Sequence, residues 1–576
     1  MPDVDESFTA GEWATYAEQS EYRETPRYEE TISYARRLAA ATPLIRYSVF
    51  GKSGEGRDLP LLIAGEDDAF TPEAAKRLGK PVVLVQACIH AGEPDGKDAG
   101  FALLRDVAIT RVHPDLLKHV VLLFIPMYNV DGHERFGPYN RINQNGPAEM
   151  GWRTTTAYLN LNRDYMKADA PETRAWLNLW NDWQPDLFID CHVTDGADYR
   201  YNITYHHEHH AGIPPTVLEW EQNVFDALVP PQMESVGNVV SWYLEFRDNR
   251  DFTQGIVDFS GSPRFSTGYV PLRNRPAILI ETHMLKPYQP RVQGTYDLLR
   301  FALQEINRDP EKLLRAGREA DEQTLKSSGR SYPLRFKLTD KVVPYHLKAV
   351  EYHTEQSSVS GAQRVIFGTD PFDVTVPMYK DFQPSVTVVP PLYYIIPPQW
   401  KDVIAVLQAH GLVLQRTAQP ETIAIEAYQF SDVFFPPATF EGRTMPTYNT
   451  HSRHERRRFP AGSIIVPLGQ PNAAVAIQLL EPEAADSFVA WGFFNAIFEQ
   501  KEYSEDYVSE KLAREMMAAD PNLRAEFEKR LATNPEFAAS PRARLQFFYA
   551  RSPYWDPELN LYPVGRIVEP LDIQLQ

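Results

Sequence analysis

The sequence predicts an α/β fold in which a mostly parallel, mixed sheet is covered by helices on both faces, with an additional C-terminal α/β region. Four apolar runs are long enough for buried strands, and helical patterns lie between them. Continuous apolar strands that alternate with helices are typical of a sheet buried on both faces. The strand-like runs are 81–89, 120–128, 186–191 and 277–281, and the clearest helical patterns are 95–108 and 171–183.

The length of 576 residues predicts more than one domain, because single cores stop growing well before that size. A polar stretch, LKSSGRSYP, follows a helix-like segment near residue 330 and marks a boundary. We therefore predict an N-terminal extension over 1–25, a main domain over 26–330 and an accessory α/β region over 331–576. We expect the accessory region to pack against the main domain and narrow the mouth of its site.

Composition and charge exclude several classes of protein. The net charge of -19 argues against nucleic-acid binding, which depends on clustered Lys and Arg. No run approaches the roughly 20 apolar residues of a membrane span. The acidic N-terminus lacks a secretory signal pattern, so a cytoplasmic protein is expected, with an exported mature form as the alternative. The two cysteines, Cys88 and Cys191, exclude a disulfide scaffold and are expected to be buried packing residues. Oligomeric state is left open.

Residues that could bind a metal follow the first and third strand-like runs. His90 and Glu93 form an H-x-x-E motif after the first run, and His192 follows the third. The carboxyl ends of parallel strands lie at one edge of the sheet, where open α/β folds place their sites. Two imidazoles and one carboxylate leave zinc a fourth position for water, as in hydrolytic sites.

Further motifs follow in a fixed order along the chain. They are Asn129-Val130-Asp131-Gly132, Gly151-Trp152-Arg153-Thr154, Leu159-Asn160-Leu161-Asn162-Arg163-Asp164 and the strand-terminal Glu281. Together with His90, Glu93 and His192, their order and spacing resemble the carboxypeptidase A-like zinc metallocarboxypeptidases, and the spacing of Arg153 and Asn162 resembles the bacterial-type branch. The resemblance covers residues 25–310 and departs from the family at Val130 and Asp164.

The resemblance implies a role for each matching residue. His90, Glu93 and His192 would bind one zinc ion per chain, with Glu281 as general base and Arg153 stabilising the oxyanion. Asn162 and Arg163 would hold the terminal carboxylate of the substrate. Tyr269 is assigned as the tyrosine with which the family closes its site.

The expected function is a zinc-dependent metallocarboxypeptidase that hydrolyses the C-terminal peptide bond of peptides with a free carboxylate. One alternative is a zinc amidase or deacylase acting on N-acyl amino acids or cell-wall peptides. A second alternative, a catalytically inactive binding module, is disfavoured because Glu281 and Arg153 accompany all three ligands.

Two polar clusters outside these motifs are interpreted as solvated loops. The histidines 206, 207, 209 and 210 form a rival metal site, but no carboxylate-bearing strand flanks them in the sequence. The run from His454 to Arg458 is strongly basic and could meet an acidic partner.

Overall fold

A computed structural model of the chain describes residues 11–326, 329–571 and 573. The first ten residues of the predicted N-terminal extension lie outside the described residues. The strands are β1 Ile45–Lys52, β2 Asp58–Ala64, β3 Val82–Ala87, β4 Val121–Ile125, β5 Leu187–Thr194, β6 Ile203–His206, β7 Val240–Trp242, β8 Glu245–Phe246, β9 Ile256–Val257, β10 Ala277–His283, β11 Tyr332–Leu338, β12 Val342–Gln356, β13 Gln363–Tyr379, β14 Phe382–Val388, β15 Tyr393–Ile396, β16 Gln415–Arg416, β17 Glu421–Phe434, β18 Thr447–Phe459, β19 Ile464–Pro467 and β20 Gly565–Ile567.

Helices cover the sheets and build the C-terminal end of the described chain. They are α1 Tyr16–Gln19, α2 Tyr28–Ala41, α3 Pro72–Leu78, α4 Asp95–Ala108, α5 Val130–Glu134, α6 Pro171–Trp183, α7 Pro215–Glu221, α8 Val229–Ser235, α9 Ser266–Tyr269, α10 Tyr288–Arg308, α11 Pro310–Leu325, α12 Lys401–Ala409, α13 Ala473–Leu480, α14 Asp506–Ala519, α15 Pro521–Thr533, α16 Pro535–Ala539 and α17 Pro541–Tyr549. No helix among the described residues combines the length and the apolar character that crossing a membrane requires.

The main sheet has eight strands in the order β1-β2-β4-β3-β5-β10-β6-β7. Its centre, from β4 through β3 and β5 to β10, is parallel. The pairs β1–β2, β2–β4 and β10–β6 are antiparallel. The predicted mixed, mostly parallel sheet is therefore confirmed, and the four apolar runs supply its four central strands.

Helix α6 shows how the sequence directs the packing of this sheet. Pro171 occupies the first turn, where its missing N–H costs no hydrogen bond. Trp176 and Trp180 are four residues apart, lie on one helix face and are almost fully buried. Their rings contact Phe188 of β5 at centroid distances of 5.7 and 6.3 Å. The helix therefore covers the strand that carries His192.

Residues 11–25 of the N-terminal extension pack onto the main domain. Trp13 is 3% exposed, and the Arg37 guanidinium lies 4.1 Å from its ring centroid. Thr25 donates a hydrogen bond to Asp98 of α4 at 2.7 Å. This segment is therefore continuous with the apolar core of the main domain.

The chain after residue 330 forms a two-stranded and a six-stranded sheet, and its strands β12 and β13 join β8 and β9 of the main domain in a four-stranded sheet. The long β12–β13 hairpin pairs with β9 of the main domain at Met378 and Tyr379. One apolar cluster contains Trp176 of the main domain together with Tyr394 and Phe494. The predicted packing of this region against the main domain therefore involves shared cores.

The basic run from His454 to Arg458 lies within β18 and not in a loop. Alternate side chains of this edge strand are exposed, including Arg456 and Arg458. The prediction of a loop is wrong, whereas the predicted solvent exposure holds for these side chains. Arginines on an exposed edge strand discourage pairing with other chains.

Candidate active site

Three potential metal ligands meet at the carboxyl ends of two neighbouring parallel strands. His90 and Glu93 lie in the loop between β3 and α4, and His192 lies within β5. Ala87, the last residue of β3, is in register with Cys191, so the loop after β3 begins beside His192. The side chains of the three ligands are at most 5% exposed.

The distances between the three ligands match the requirements of a metal ion. His192 Nδ1 lies 3.2 Å from His90 Nδ1 and 3.1 Å from Glu93 Oε2, and His90 Nδ1 lies 3.2 Å from Glu93 Oε2. Atoms bound at about 2.0–2.1 Å to one tetrahedral zinc lie about 3.3 Å apart. The three side chains therefore fit zinc without rearrangement.

Polar neighbours hold the outer nitrogens of both imidazoles. Asp190 Oδ2 lies 3.0 Å from His192 Nε2, and Asn160 Oδ1 lies 3.2 Å from His90 Nε2. Such outer partners fix the ring orientation and leave Nδ1 free to bind metal. Asp190 and Asn160 were missed as site residues, although Asp190 precedes His192 by two residues and so shares its face of the strand.

The electrostatics of the cluster favour a cation between the ligands. Burial lowers the pKa of His90 to about 4, against the influence of Glu93, and keeps its imidazole in the neutral form that binds metals. Burial also opposes charge on His192, but Asp190 and Glu93 outweigh it and raise the pKa of His192 well above its usual range. The negative charge of the carboxylates around His192 therefore favours a positive charge between the ligands, which a metal ion supplies.

Glu281 of β10 lines the cavity, of about 550 Å³, into which the ligands open. Its neighbour in register on β5 is His192. Burial raises the pKa of Glu281 to about 8; His192 opposes the rise, and Glu93 adds to it. Within the described chain Glu281 Oε2 makes no hydrogen bond, so in its ionised form this oxygen can accept a proton from a water or a substrate.

Two arginines face the ligands from the loops that follow α5. Arg153 Nη1 lies 3.6 Å from Glu93 Oε1, and its side chain is 43% exposed. Arg141, which the motif analysis missed, is closer, with Nη2 at 2.8 Å from the same oxygen. Both line the cavity, so either guanidinium can meet negative charge that develops beside the metal ligands.

Asn162 and Arg163 form another part of the cavity wall. The Asn162 side-chain carbonyl accepts a hydrogen bond from Ser266 N at 3.0 Å, which fixes the amide. The Arg163 guanidinium lies 4.1 Å from the Phe265 ring centroid. Burial, followed by repulsion from Arg153, lowers the pKa of Arg163 to about 10, so this cation is short of negative partners.

The chain after residue 330 supports this wall from outside the cavity. Glu441 Oε2 accepts a hydrogen bond from Asn160 N at 2.9 Å, and Arg443 binds both carboxylate oxygens of Asp169 at 2.6 and 2.7 Å. Within the described chain, no residue beyond Met284 lines the cavity. The accessory region therefore stabilises the segment around Asn162 from outside the cavity. These contacts do not show the expected narrowing of the cavity mouth.

Comparison with known families agrees with this arrangement of residues. Residues 31–216, which include the three ligands, Arg153, Asn162 and Arg163, match the family described as zinc carboxypeptidase. Residues 31–216 are therefore similar to a zinc carboxypeptidase domain. Zinc is the metal that this family implies for the three ligands.

Relatives of known name extend beyond the matched segment. Carboxypeptidase 2 of Trichophyton rubrum is 23% identical over 472 residues, which cover 79% of this chain and 82% of the relative. A similarity of this length extends beyond residue 330, the predicted boundary of the main domain. Among solved structures, carboxypeptidase A of Helicoverpa armigera is 16% identical, covers 52% of this chain and 75% of its own, and has a TM-score of 0.37. A metallo-carboxypeptidase of Burkholderia cenocepacia is 16% identical over 49% of this chain and 70% of its own, with a TM-score of 0.36.

Tyr269 does not line the cavity, and its assignment as a substrate-binding tyrosine is wrong. It is fully buried, and its hydroxyl hydrogen-bonds His410 Nδ1 at 2.8 Å and accepts from Arg273 at 3.0 Å. Residue 269 lies in α9, which faces the shared core. Tyr243, from the segment between β7 and β8, lines the cavity instead.

The histidines 206, 207, 209 and 210 are buried or partly buried, and His206 ends β6, so the interpretation of this cluster as a solvated loop is wrong. His206 and His207 are at most 1% exposed. Asp258, far away in the sequence, joins His206 and His209 in a second group whose ligand atoms lie within 4.8 Å of one another. We refer to His206, His209 and Asp258 as the second cluster.

Proposed function

We propose that the protein is a zinc-dependent metallocarboxypeptidase that hydrolyses the C-terminal peptide bond of peptides. The observation that carries this proposal is the ligand triangle of His90, Glu93 and His192 opening into the cavity that Glu281 lines. The match of residues 31–216 to the zinc carboxypeptidase family supports the same reaction.

Different residues that line the cavity have different roles in peptide hydrolysis. The chemistry that zinc supplies when bound at His90, Glu93 and His192 is to lower the pKa of water toward about 7 and to polarise the scissile carbonyl. Glu281 accepts the proton of the attacking water and delivers it to the leaving amine. Arg153, with Arg141 beside it, stabilises the negative charge that develops on the carbonyl oxygen.

Recognition of a free C-terminus is assigned to Asn162 and Arg163. The Arg163 guanidinium presents parallel N–H donors that match the two oxygens of a carboxylate. Its lowered pKa reflects burial and repulsion from Arg153, and the negative charge of a bound carboxylate offsets the unfavourable effect of both on the guanidinium. This position for the substrate carboxylate places the C-terminal peptide bond, and not an internal one, within the cavity.

The test is to incubate purified protein with one unmodified peptide of about ten residues and to follow the products by mass spectrometry. We expect release of single amino acids from the C-terminus, loss of activity with a chelator and recovery with added zinc. Internal cleavage would contradict the proposal while leaving a zinc hydrolase. Cleavage of N-acyl amino acids with no cleavage of peptides would favour an amidase.

Replacing Asp190 with asparagine should weaken zinc binding at His192 about 10–100-fold, the usual cost of losing an outer carboxylate partner of a ligating imidazole. The asparagine keeps the shape but not the charge 3.0 Å from His192 Nε2. A competition titration with a fluorescent chelator measures the affinity. An unchanged affinity would show that Asp190 does not orient the ligand.

A further inference from the structure

The second cluster has the donor set and the spacing of a metal site. His206 is the last residue of β6, His209 follows three residues later, and Asp258 comes directly after β9. His206 Nε2 lies 3.1 Å from Asp258 Oδ1, and His209 Nε2 lies 3.5 Å from Asp258 Oδ2. Ligand atoms around one tetrahedral zinc lie about 3.3 Å apart, so both separations are close to the required value.

His206 is an independent sign that a partner belongs at this point. Its ring is fully buried, and neither ring nitrogen makes a hydrogen bond with any residue that the structure describes. The contact of Nε2 with Asp258 is short in distance but lacks the alignment of a hydrogen bond. Buried polar atoms without partners are costly, and a cation between His206 and Asp258 would give Nε2 a partner.

The surroundings hold Asp258 in position to bind an ion. Trp242 Nε1 donates to Asp258 Oδ2 at 3.1 Å, and Phe259 N donates to Oδ1 at 2.9 Å. Hydrogen bonds of this kind orient ligating carboxylates in metal sites. His209 Nε2 donates a hydrogen bond to the Lys380 carbonyl oxygen at 2.8 Å, so an ion bound by this nitrogen would replace that hydrogen bond.

We propose that the second cluster is a second site for a divalent transition-metal ion, with zinc as the expected occupant. Two imidazoles with a carboxylate are donors that zinc accepts readily, and the site is nearly closed. The side chains of His206 and Asp258 are fully buried, and that of His209 is 15% exposed. Such burial leaves little room for a substrate and assigns the ion a structural role.

The bound ion would join distant parts of the chain. Asp258 N donates to the Tyr379 carbonyl at 2.8 Å, at the end of the hairpin from the accessory region. Phe259, the next residue after Asp258, lines the catalytic cavity. The ion would therefore fix one wall of that cavity to the region after residue 330.

The experiment counts metal ions in the full chain. Purified protein is stripped with a chelator, reloaded with excess zinc, dialysed and analysed for zinc per chain. We expect two equivalents in the wild-type protein, one in His192→Ala, one in His209→Ala and none in the double variant. Reading the second site in the His192→Ala background keeps this result independent of the catalytic assignment.

Matched variants separate metal binding from folding. His210→Ala removes a histidine of the same loop that stacks on Phe336 and lies outside the group, so it should keep two equivalents. Asp258→Asn preserves shape and should weaken the second equivalent at least tenfold. Cobalt bound to His192→Ala gives absorption bands that indicate nitrogen and oxygen ligands. This measurement does not depend on whether the other variants fold.

Three outcomes would overturn the proposal. The first is a single equivalent in the wild-type protein that disappears in His192→Ala. The second is retention of two equivalents by both His209→Ala and Asp258→Asn. The third is a cobalt-loaded His192→Ala protein without ligand-field bands, which would leave the second cluster as two imidazoles in ion-pair contact with a carboxylate.

Discussion

Replacing Glu281 with glutamine should reduce kcat about 10²–10⁴-fold, the range typical of a lost general base. The amide keeps the size of the side chain but cannot accept the proton of water. Zinc content should stay at the wild-type value because Glu281 is not one of the three ligands. Steady-state kinetics with a free-acid peptide, together with elemental analysis of the same preparation, measure both quantities.

Glu245→Gln is the matched control for this variant, since Glu245 is another carboxylate that lines the cavity. It is not among the metal-binding groups, and its variant should retain most of the activity. If Glu281→Gln kept its turnover while Glu245→Gln lost it, the role of base would pass to Glu245.

Amidation of the substrate's C-terminus should lower kcat/KM at least about 100-fold. A carboxylate accepts two parallel N–H donors from Arg163, whereas an amide offers one oxygen and a misdirected donor. Arg163 is only partly buried, so leaving it without its partner costs toward the lower end of the about 3–5 kcal/mol typical of a buried charge, and about 1.4 kcal/mol corresponds to each tenfold. The measurement compares one peptide as acid and as amide under the same conditions.

The Arg163→Ala variant should cleave the acid as poorly as the wild-type protein cleaves the amide, so that the two substrates become equivalent. Arg163→Lys retains a charge but not the planar fork, and should fall between these limits. Equal cleavage of acid and amide by the wild-type protein would remove Arg163 from carboxylate recognition.

The sheet and the ligand triangle could be predicted because their signals are local. Each central strand is a continuous apolar run, and each ligand lies within a few residues of a strand end, as His90 does after β3. Once the strands are parallel neighbours, the geometry of the sheet brings His90 and His192 together. Glu281 lies on β10, the other parallel neighbour of β5, so the geometry of the sheet brings it beside His192 for the same reason.

The residues that were missed depend on contacts between segments far apart in the sequence. Asp258 completes the second cluster from 49 residues beyond His209, through a strand of two residues that gives almost no periodic signal. Tyr269 precedes a predicted strand but packs against His410 of the accessory region, which no local pattern indicates. Arg141 lies in a loop whose path is set by its neighbours.

The shared core has a consequence for the order in which the enzyme matures during synthesis. The apolar cluster that holds Trp176 and Tyr269 is completed by Phe488 and Phe494, and Asn160 is tethered by Glu441. A ribosome completes the catalytic residues long before it reaches these partners. The nascent chain therefore carries every catalytic side chain before these contacts can form, and we expect a translation product that stops near residue 330 to be inactive.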